Sequence, residues 1–255
     1  MTLAMRLAQA IERAGIRPHY VNTSLSDLTN PVLGAMGLAP TIGIGNVALI
    51  ATAVRELVAR RRGVESTRVS VKMVAHHVHW VLWREAGYRE GAPFHMEVLA
   101  DGEGITATLD ALALMREAIL LYPKGTSFSA VSASSAIQNI LALLSDEPVA
   151  THSPGPNGLP GGYPVVLDRR GAAVDLPAGV ELEAAVAMNL EAQTFDGVER
   201  IDDDGRVHFM PYAVEIMREV LGLDRASFTP AESEDLAREQ MRRFRELLAR
   251  SGVEP

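Results

Sequence analysis

Apolar and polar residues along positions 1–62 predict the order helix, strand, helix, strand, helix. Leu3, Leu7 and Ile11 recur at helical spacing in the first segment, and Gly15 is a typical residue to end it. Strands are predicted over residues 19–22 and 39–46, and the apolar helical stretches 27–36 and 47–62 follow them. Strands that alternate with helices are typical of parallel βαβ units, so this part predicts an α/β fold.

The stretch 69–83, VSVKMVAHHVHWVLW, combines an apolar strand with a group of histidines. Side chains alternate between the two faces of a strand. We therefore expect His77 and His79 to share one face, and His76 to point the other way with Trp80. Imidazole titrates near neutral pH and serves as a general acid or base, and two imidazoles on one strand face are also suited to a transition metal. Hydrogen-bonded histidines without any chemical role explain the same pattern, and the residues alone leave the three interpretations open.

The rest of the chain changes character. Helical stretches at 108–122 and 129–144 precede a proline- and glycine-rich segment at 152–162, which is either a lid or a crossover loop. Later hairpins and closing helices are typical of an α+β domain. The pattern predicts an α/β segment over residues 1–66 that leads into an α+β domain over residues 67–255.

Polar residues follow both of the first two predicted strands. Asn22, Thr23 and Ser24 follow the first, and Asn46 follows the second after a glycine turn. Ligands in open α/β sheets bind at the carboxyl ends of the strands, so these four residues are predicted substrate contacts. Capping of the next helix explains the first three residues as well.

Composition narrows the classes of function. The chain has 255 residues, a net charge of -8 and no cysteine. An acidic surface argues against nucleic acid or an anionic membrane as the main partner, and the lack of cysteine excludes disulfides and thiolate ligands. No apolar run approaches the roughly 18 residues of a membrane span, so a cytoplasmic location is the default expectation.

The order of these elements resembles the lactate/malate dehydrogenase superfamily, which includes the NAD-dependent family-4 glycoside hydrolases. YVNTSLSDL resembles a strand and turn near the nicotinamide in those enzymes, and GGYPVVLDRRGAAVDLP resembles a late hairpin. VAHHVHW is similar to a Gly-Leu-Asn-His-x-x-Trp pattern, with His77 at the shared histidine and Trp80 at the tryptophan. The resemblance implies a partial Rossmann-like parallel sheet followed by a dehydrogenase/glycosidase-like C-terminal domain.

For function, the resemblance implies NAD-dependent oxidation at a hydroxyl-bearing carbon of a small substrate, either as the reaction itself or as a transient step in a glycosidase-like elimination. His77, helped by His79, is then the catalytic residue, and His76 is a substrate contact. A divalent metal on His77 and His79 is the alternative use of the same side chains.

Several family features are missing. The G-x-G-x-x-G unit that holds the pyrophosphate is absent, and the register that carries a catalytic Asp and Arg in dehydrogenases reads VALIAT here. We therefore expect this chain to be a subunit or fragment whose NAD is shared with a partner chain, or a homo-oligomer. The alternative is a non-catalytic or repurposed subunit that binds a ligand or assembles a complex.

Overall fold

The computed structural model describes residues 1–84, 91–123, 125 and 127–251. The described helices are α1 (Thr2–Ala14), α2 (Ser26–Ala35), α3 (Asn46–Arg62), α4 (Val78–Arg84), α5 (Ala111–Leu120), α6 (Ser127–Leu143), α7 (Leu182–Thr194), α8 (Pro211–Leu221) and α9 (Ser233–Ser251). The strands are β1 (Val21–Asn22), β2 (Ile42–Gly43), β3 (Val69–Val74), β4 (His95–Ala100), β5 (Glu103–Gly104), β6 (Val149–Pro154), β7 (Gly162–Asp168), β8 (Gly171–Val174), β9 (Val198–Ile201), β10 (Val207–Phe209) and β11 (Ser227–Phe228). None of the helices in these ranges has the length and apolar character needed to span a membrane.

The strands form small sheets rather than one continuous sheet. β1 and β2 pair in parallel, with Val21 opposite Ile42 and Asn22 opposite Gly43. The orders β3-β4-β5, β6-β7-β8 and β11-β10-β9 describe three antiparallel sheets. The mixed α/β architecture agrees with the sequence pattern. The parallel pair is only two residues long in each strand, so the partial Rossmann interpretation stays a prediction.

Helix α3 lies at the centre of the largest core. Val47, Ile50, Val54 and Val58 on α3 pack in one cluster with residues of β3, β4 and α5, among them Met73. Complete burial of such side chains stabilises the fold by about 1.5–3 kcal/mol each. This core joins residues on both sides of the predicted boundary at 66/67, and the division into two domains stays a prediction.

The expected strand through the histidines is wrong. β3 ends at Val74, which is opposite the first residue of β4, His95. Ala75 makes an isolated bridge to Gly162, and the chain then turns into α4 at Val78. The strand stops because β4 offers no further pairing partner. The histidines therefore do not lie on a strand, and the prediction that His77 and His79 share one strand face while His76 lies on the other is wrong.

The proline- and glycine-rich segment is a packed connection between β6 and β7. Asn30 on α2 donates from Nδ2 to the carbonyl oxygen of Gly155, at 2.9 Å. A Cβ atom at Gly158, which has φ +85°, would lie 2.9 Å from the Cα of Gly34. Only glycine permits this close approach of the segment to α2. The segment therefore supports the carboxyl ends of β1 and β2.

Candidate active site at the carboxyl ends of the first two strands

His77 is held at the start of α4 by a buried carboxylate. Its backbone N–H donates to Oδ1 of Asp27 at 3.0 Å, and Asp27 lies in the first turn of α2. Burial raises the pKa of Asp27 to about 6, although the neighbouring His77 opposes the shift. Burial also lowers the pKa of His77, and the charge of Asp27 acts in the opposite direction. The two groups therefore titrate closer together than free Asp and His do.

A second carboxylate approaches the imidazole itself. Oδ2 of Asp196 lies 3.5 Å from Nδ1 of His77, which is longer than a direct hydrogen bond. Asp196 follows the C-terminus of α7, and Phe195 before it packs against Val78 and Ala192. Burial raises the pKa of Asp196 to about 7. The sequence resemblance led us to look for an acidic residue in the register of residues 47–52, which contains none. Asp196 places a carboxyl group beside His77 instead.

Sequence reasoning missed both carboxylates. Asp27 resembles an ordinary acidic residue in the first turn of a helix, which is favoured there by the helix dipole. Asp196 follows a helix in TFDGV, and its distance from His77 along the chain gives no signal. Only the packing of α7 on α4 brings Asp196 to the histidine.

The other two histidines have different surroundings from those predicted. His76 is buried, and its Nδ1 accepts the backbone N–H of Val78 at 3.2 Å. His79 is buried with Nδ1 2.8 Å from the carbonyl oxygen of His76 and Nε2 3.2 Å from that of Ala92. The structure does not bring a free nitrogen of His79 to His77, because α4 turns His79 towards backbone carbonyls.

Asn22 organises the turn after β1. Its Oδ1 accepts the N–H of Ser24 at 3.0 Å, and its Nδ2 donates to the carbonyl oxygen of Ser24 and, at 2.8 Å, to Oδ1 of Asn30. Asn22 is buried and its amide is fully used, whereas Thr23 and Ser24 are exposed. Asn46 is the first residue of α3, and its side chain lies outside the described part of the structure.

A cavity of about 420 Å³ lies where these groups meet. Asp27 and His77 line it together with hydroxyl groups and small apolar groups, and no lysine or arginine is present among its described lining residues. The lining consists of Thr23, Leu25, Ser26, Asp27, Ile44, Gly45, Leu49, His77, Ser132, Ala133, Ser135 and Ala136.

Two ring nitrogens of the histidine segment are buried without a hydrogen-bond partner among the described residues. They are Nε2 of His76 and Nδ1 of His77, and His77 lines the cavity. Asn189 donates from Nδ2 to the carbonyl oxygen of Gly162, which is the bridge partner of Ala75, so α7 is tied to the histidine segment. Buried groups of this kind are rare in native proteins and often mark sites of function.

Comparison with solved structures identifies the fold. A lactate dehydrogenase from a Medee basin deep-sea metagenome library aligns with a TM-score of 0.50 and 13% identity, over 76% of this chain and 66% of its own length. The malate dehydrogenase from Aeropyrum pernix aligns with a TM-score of 0.49 and 13% identity, over 76% of this chain and 68% of its own. The fold is dehydrogenase-like. No family model and no curated protein matches the sequence.

The dehydrogenase-like part spans about two thirds of the length of that lactate dehydrogenase. The resemblance expected from the sequence is thereby confirmed at the level of fold. At this sequence identity the likeness concerns the fold alone, and the roles of His76, His77 and His79 stay predictions.

Gly43, at the end of β2, offers no open backbone N–H to the pyrophosphate of a dinucleotide. A Cβ atom at Gly43 would overlap the side chain of Ser26 and would lie 2.6 Å from the carbonyl oxygen of Pro154. The N–H of Gly43 already donates to Oγ of Ser153, at 3.2 Å. A phosphate cradle needs open backbone N–H groups, and the one at Gly43 is already used within the protein.

A metal site would have to use a different set of residues from the predicted pair. One ligand atom each of Asp27, His76 and His77 lie within 4.8 Å of one another. However, Nδ1 of His76 accepts the N–H of Val78, which places the ring proton of the neutral imidazole on Nε2. A metal needs a deprotonated ring nitrogen, so His76 does not fit as a ligand in this tautomer.

Proposed function

We propose that this chain forms the substrate side of an oxidoreductase-type active site, which acts on a hydroxyl-bearing carbon of a small substrate. The observation that carries the proposal is the His77–Asp196 pair at the edge of a cavity on a dehydrogenase-like fold. A histidine beside a carboxylate is suited to moving a proton near neutral pH.

His77 is the proton acceptor in this proposal. The carboxylate of Asp196 favours the tautomer with the proton on Nδ1, which leaves Nε2 to take the proton of a substrate hydroxyl. The backbone contact to Asp27 holds the residue in place. His79 supports the same turn through its contact with the carbonyl oxygen of His76.

The substrate in this proposal is uncharged and carries several hydroxyl groups. The hydroxyls of Thr23, Ser26 and Ser132 provide neutral hydrogen-bond partners in the cavity. A carboxylate substrate would need a cation, which the described lining does not offer. Asn22 and Ser24 shape the turn that presents Thr23.

The hydride acceptor in this proposal is NAD, held by a partner chain or a second copy. When bound, it supplies the oxidising power that an imidazole lacks. Two observations support this division of labour: the N–H of Gly43 is already used by Ser153, and the sequence contains no G-x-G-x-x-G unit.

A second candidate is a subunit that assembles a complex without catalysis. The observation that favours it is an apolar stripe on α6 and the residue that follows it, where Ile137, Leu141 and Leu144 are 57%, 61% and 60% exposed. These positions recur at helical spacing, and no charged residue lies between Ser127 and Leu143. Such a patch is typical of a protein interface.

The test is NAD reduction by the full chain, alone and together with the product of the neighbouring reading frame. Neutral polyols and 2-hydroxy acids are supplied as substrates in parallel. We expect oxidation of a polyol and a loss of about 10²- to 10⁴-fold in His77→Asn. His208→Asn, which changes a histidine on β10, is the matched control and keeps the wild-type rate. If the wild type is active and His77→Asn is equally active, the proposal is contradicted. If the chain is inactive both alone and with the neighbouring gene product, the assembly subunit is favoured.

A further inference from the structure

Asp27 lines the cavity together with His77. Its Oδ1 accepts the backbone N–H of His77 at 3.0 Å, and the same carboxyl group borders the cavity. Asp27 is buried and its Oδ2 lies beside Gly45, where an added Cβ atom would be 3.8 Å away, at ordinary van der Waals distance. The carboxyl group of Asp27 therefore both holds the backbone of His77 and borders the cavity in which a ligand would lie.

The backbone before Asp27 is held in an unfavourable conformation. Leu25 has φ 46° and ψ 59°, a left-handed conformation that is rare for a leucine, and its side chain is 51% exposed at the cavity. The conformation positions α2 so that Ser26 and Asp27 both reach the cavity. Conformations of this kind cluster at functional sites.

The groups that face Asp27 come from several elements. His77 and His76 approach it from the turn before α4, Asp196 acts on it from the end of α7, and its charge affects Tyr163 on β7. Desolvation is the main influence on the carboxyl and favours its neutral form, while the N–H of His77 favours the charged form. Opposing influences of this kind are typical of a carboxyl that exchanges protons near neutral pH.

We propose that Asp27 is a second proton-transferring residue of this cavity, in addition to His77. A proton on Oδ2 passes to an oxygen atom of the substrate as the Asp27 O–H bond breaks and the substrate O–H bond forms, and the reverse transfer restores it. No oxidant is needed for this step. The proposal rests on the proposed function, because it assumes that the substrate occupies the cavity beside His77.

Asp27→Asn is the decisive variant, because an amide oxygen still accepts the N–H of His77 while the titrating group is lost. Asp110→Asn is its matched control, since Asp110 also accepts a backbone N–H, from Ala113 at 3.0 Å at the start of α5. We expect the rate to fall about 100-fold in Asp27→Asn and the limb of the pH–rate profile near pH 6 to disappear. The control is expected to keep both the rate and the limb.

Carbon-13 NMR of aspartate side chains provides a readout that does not depend on activity. We expect one carboxyl that titrates near pH 6 in the wild type and is missing from Asp27→Asn, while a separate one near pH 7 is missing from Asp196→Asn. If His77→Asn loses activity but Asp27→Asn keeps both its rate and the limb of the pH–rate profile near pH 6, this proposal fails and the proposed function stands. If His77→Asn is fully active, the proposed function fails. Tight binding of Zn²⁺ or Mn²⁺ in calorimetry, lost in Asp27→Asn, shows a metal ligand instead and also overturns the proposal.

Discussion

Oδ2 of Asp196 lies 3.5 Å from Nδ1 of His77, although the two residues belong to distant segments of the chain. The contact exists because the end of α7 packs on the start of α4 through Phe195 and Val78. An imidazole with a carboxylate at one nitrogen keeps a defined tautomer at the other. This pairing makes His77 the best candidate for proton transfer among the histidines of the turn.

Asp196→Asn should impair His77 without removing it. The amide keeps the size of the side chain but can no longer ionise beside Nδ1 of His77. We expect the rate to fall by about 10²-fold and the pKa of His77 to decrease further. Histidine proton NMR measures that pKa directly. Asp202→Asn, which removes a carboxylate from His208 at the surface, is the control, and an unchanged pKa of His77 in Asp196→Asn contradicts the pairing.

The two buried carboxyls should make the protein less stable as the pH rises. The pKa values of Asp27 and Asp196 in the folded protein are about 6 and about 7, both above the usual 3.8, so the folded state holds these protons more tightly than the unfolded state. Their contribution to the free energy of unfolding is complete below pH 3.8 and is lost as the pH rises through about 6 and about 7.

Urea unfolding at several pH values from 4 to 8 tests this prediction. We expect Asp196→Asn to lose less stability than the wild type between pH 5 and pH 8, because the amide does not ionise. His77 acts in the opposite sense, since its lowered pKa removes stability as the pH falls below about 6.5, so the comparison is made between variants that keep His77. Parallel curves for both proteins contradict the assignment.

Gly161 should tolerate no side chain. It has φ +69°, and a Cβ atom there would overlap the side chain of Asn189. Gly161→Ala combines a left-handed backbone with overpacking, so we expect a loss of about 2–5 kcal/mol in the free energy of unfolding. Gly179→Ala is the control, because Gly179 has φ +81° and an added Cβ atom would have nothing within 4 Å. It measures the backbone effect alone, which we expect to lower the free energy of unfolding by about 1–2 kcal/mol. Equal losses in the two variants contradict the packed arrangement of residues 154–162.

The apolar stripe on α6 should mediate association if the chain works with a second copy. Leu141→Glu places a charge in the centre of the stripe, so we expect a dimer to dissociate to monomers in light scattering after size exclusion. Leu182→Glu, an exposed leucine on α7, is the control and is expected to leave the mass unchanged. A monomeric wild type, or a dimer that survives Leu141→Glu, contradicts this use of α6.

The sequence by itself determined the elements with strong local patterns. Residues 47–62 predict a helix and α3 covers Asn46–Arg62, while the predicted helical stretch 108–122 contains α5. Hydrophobic periodicity, a glycine at the helix end and β-rich composition act within a few residues, so they are visible without tertiary information. The resemblance that pointed to a dehydrogenase-like fold is also carried by the order of such elements.

Only the tertiary structure decided where β3 ends and which groups meet at His77. The strand stops at Val74 because β4 starts at His95 and leaves Ala75 to pair with Gly162. Asp27 and Asp196 reach the histidine through contacts between elements that are far apart along the chain. Such long-range packing depends on the whole core, and no local pattern of residues encodes it.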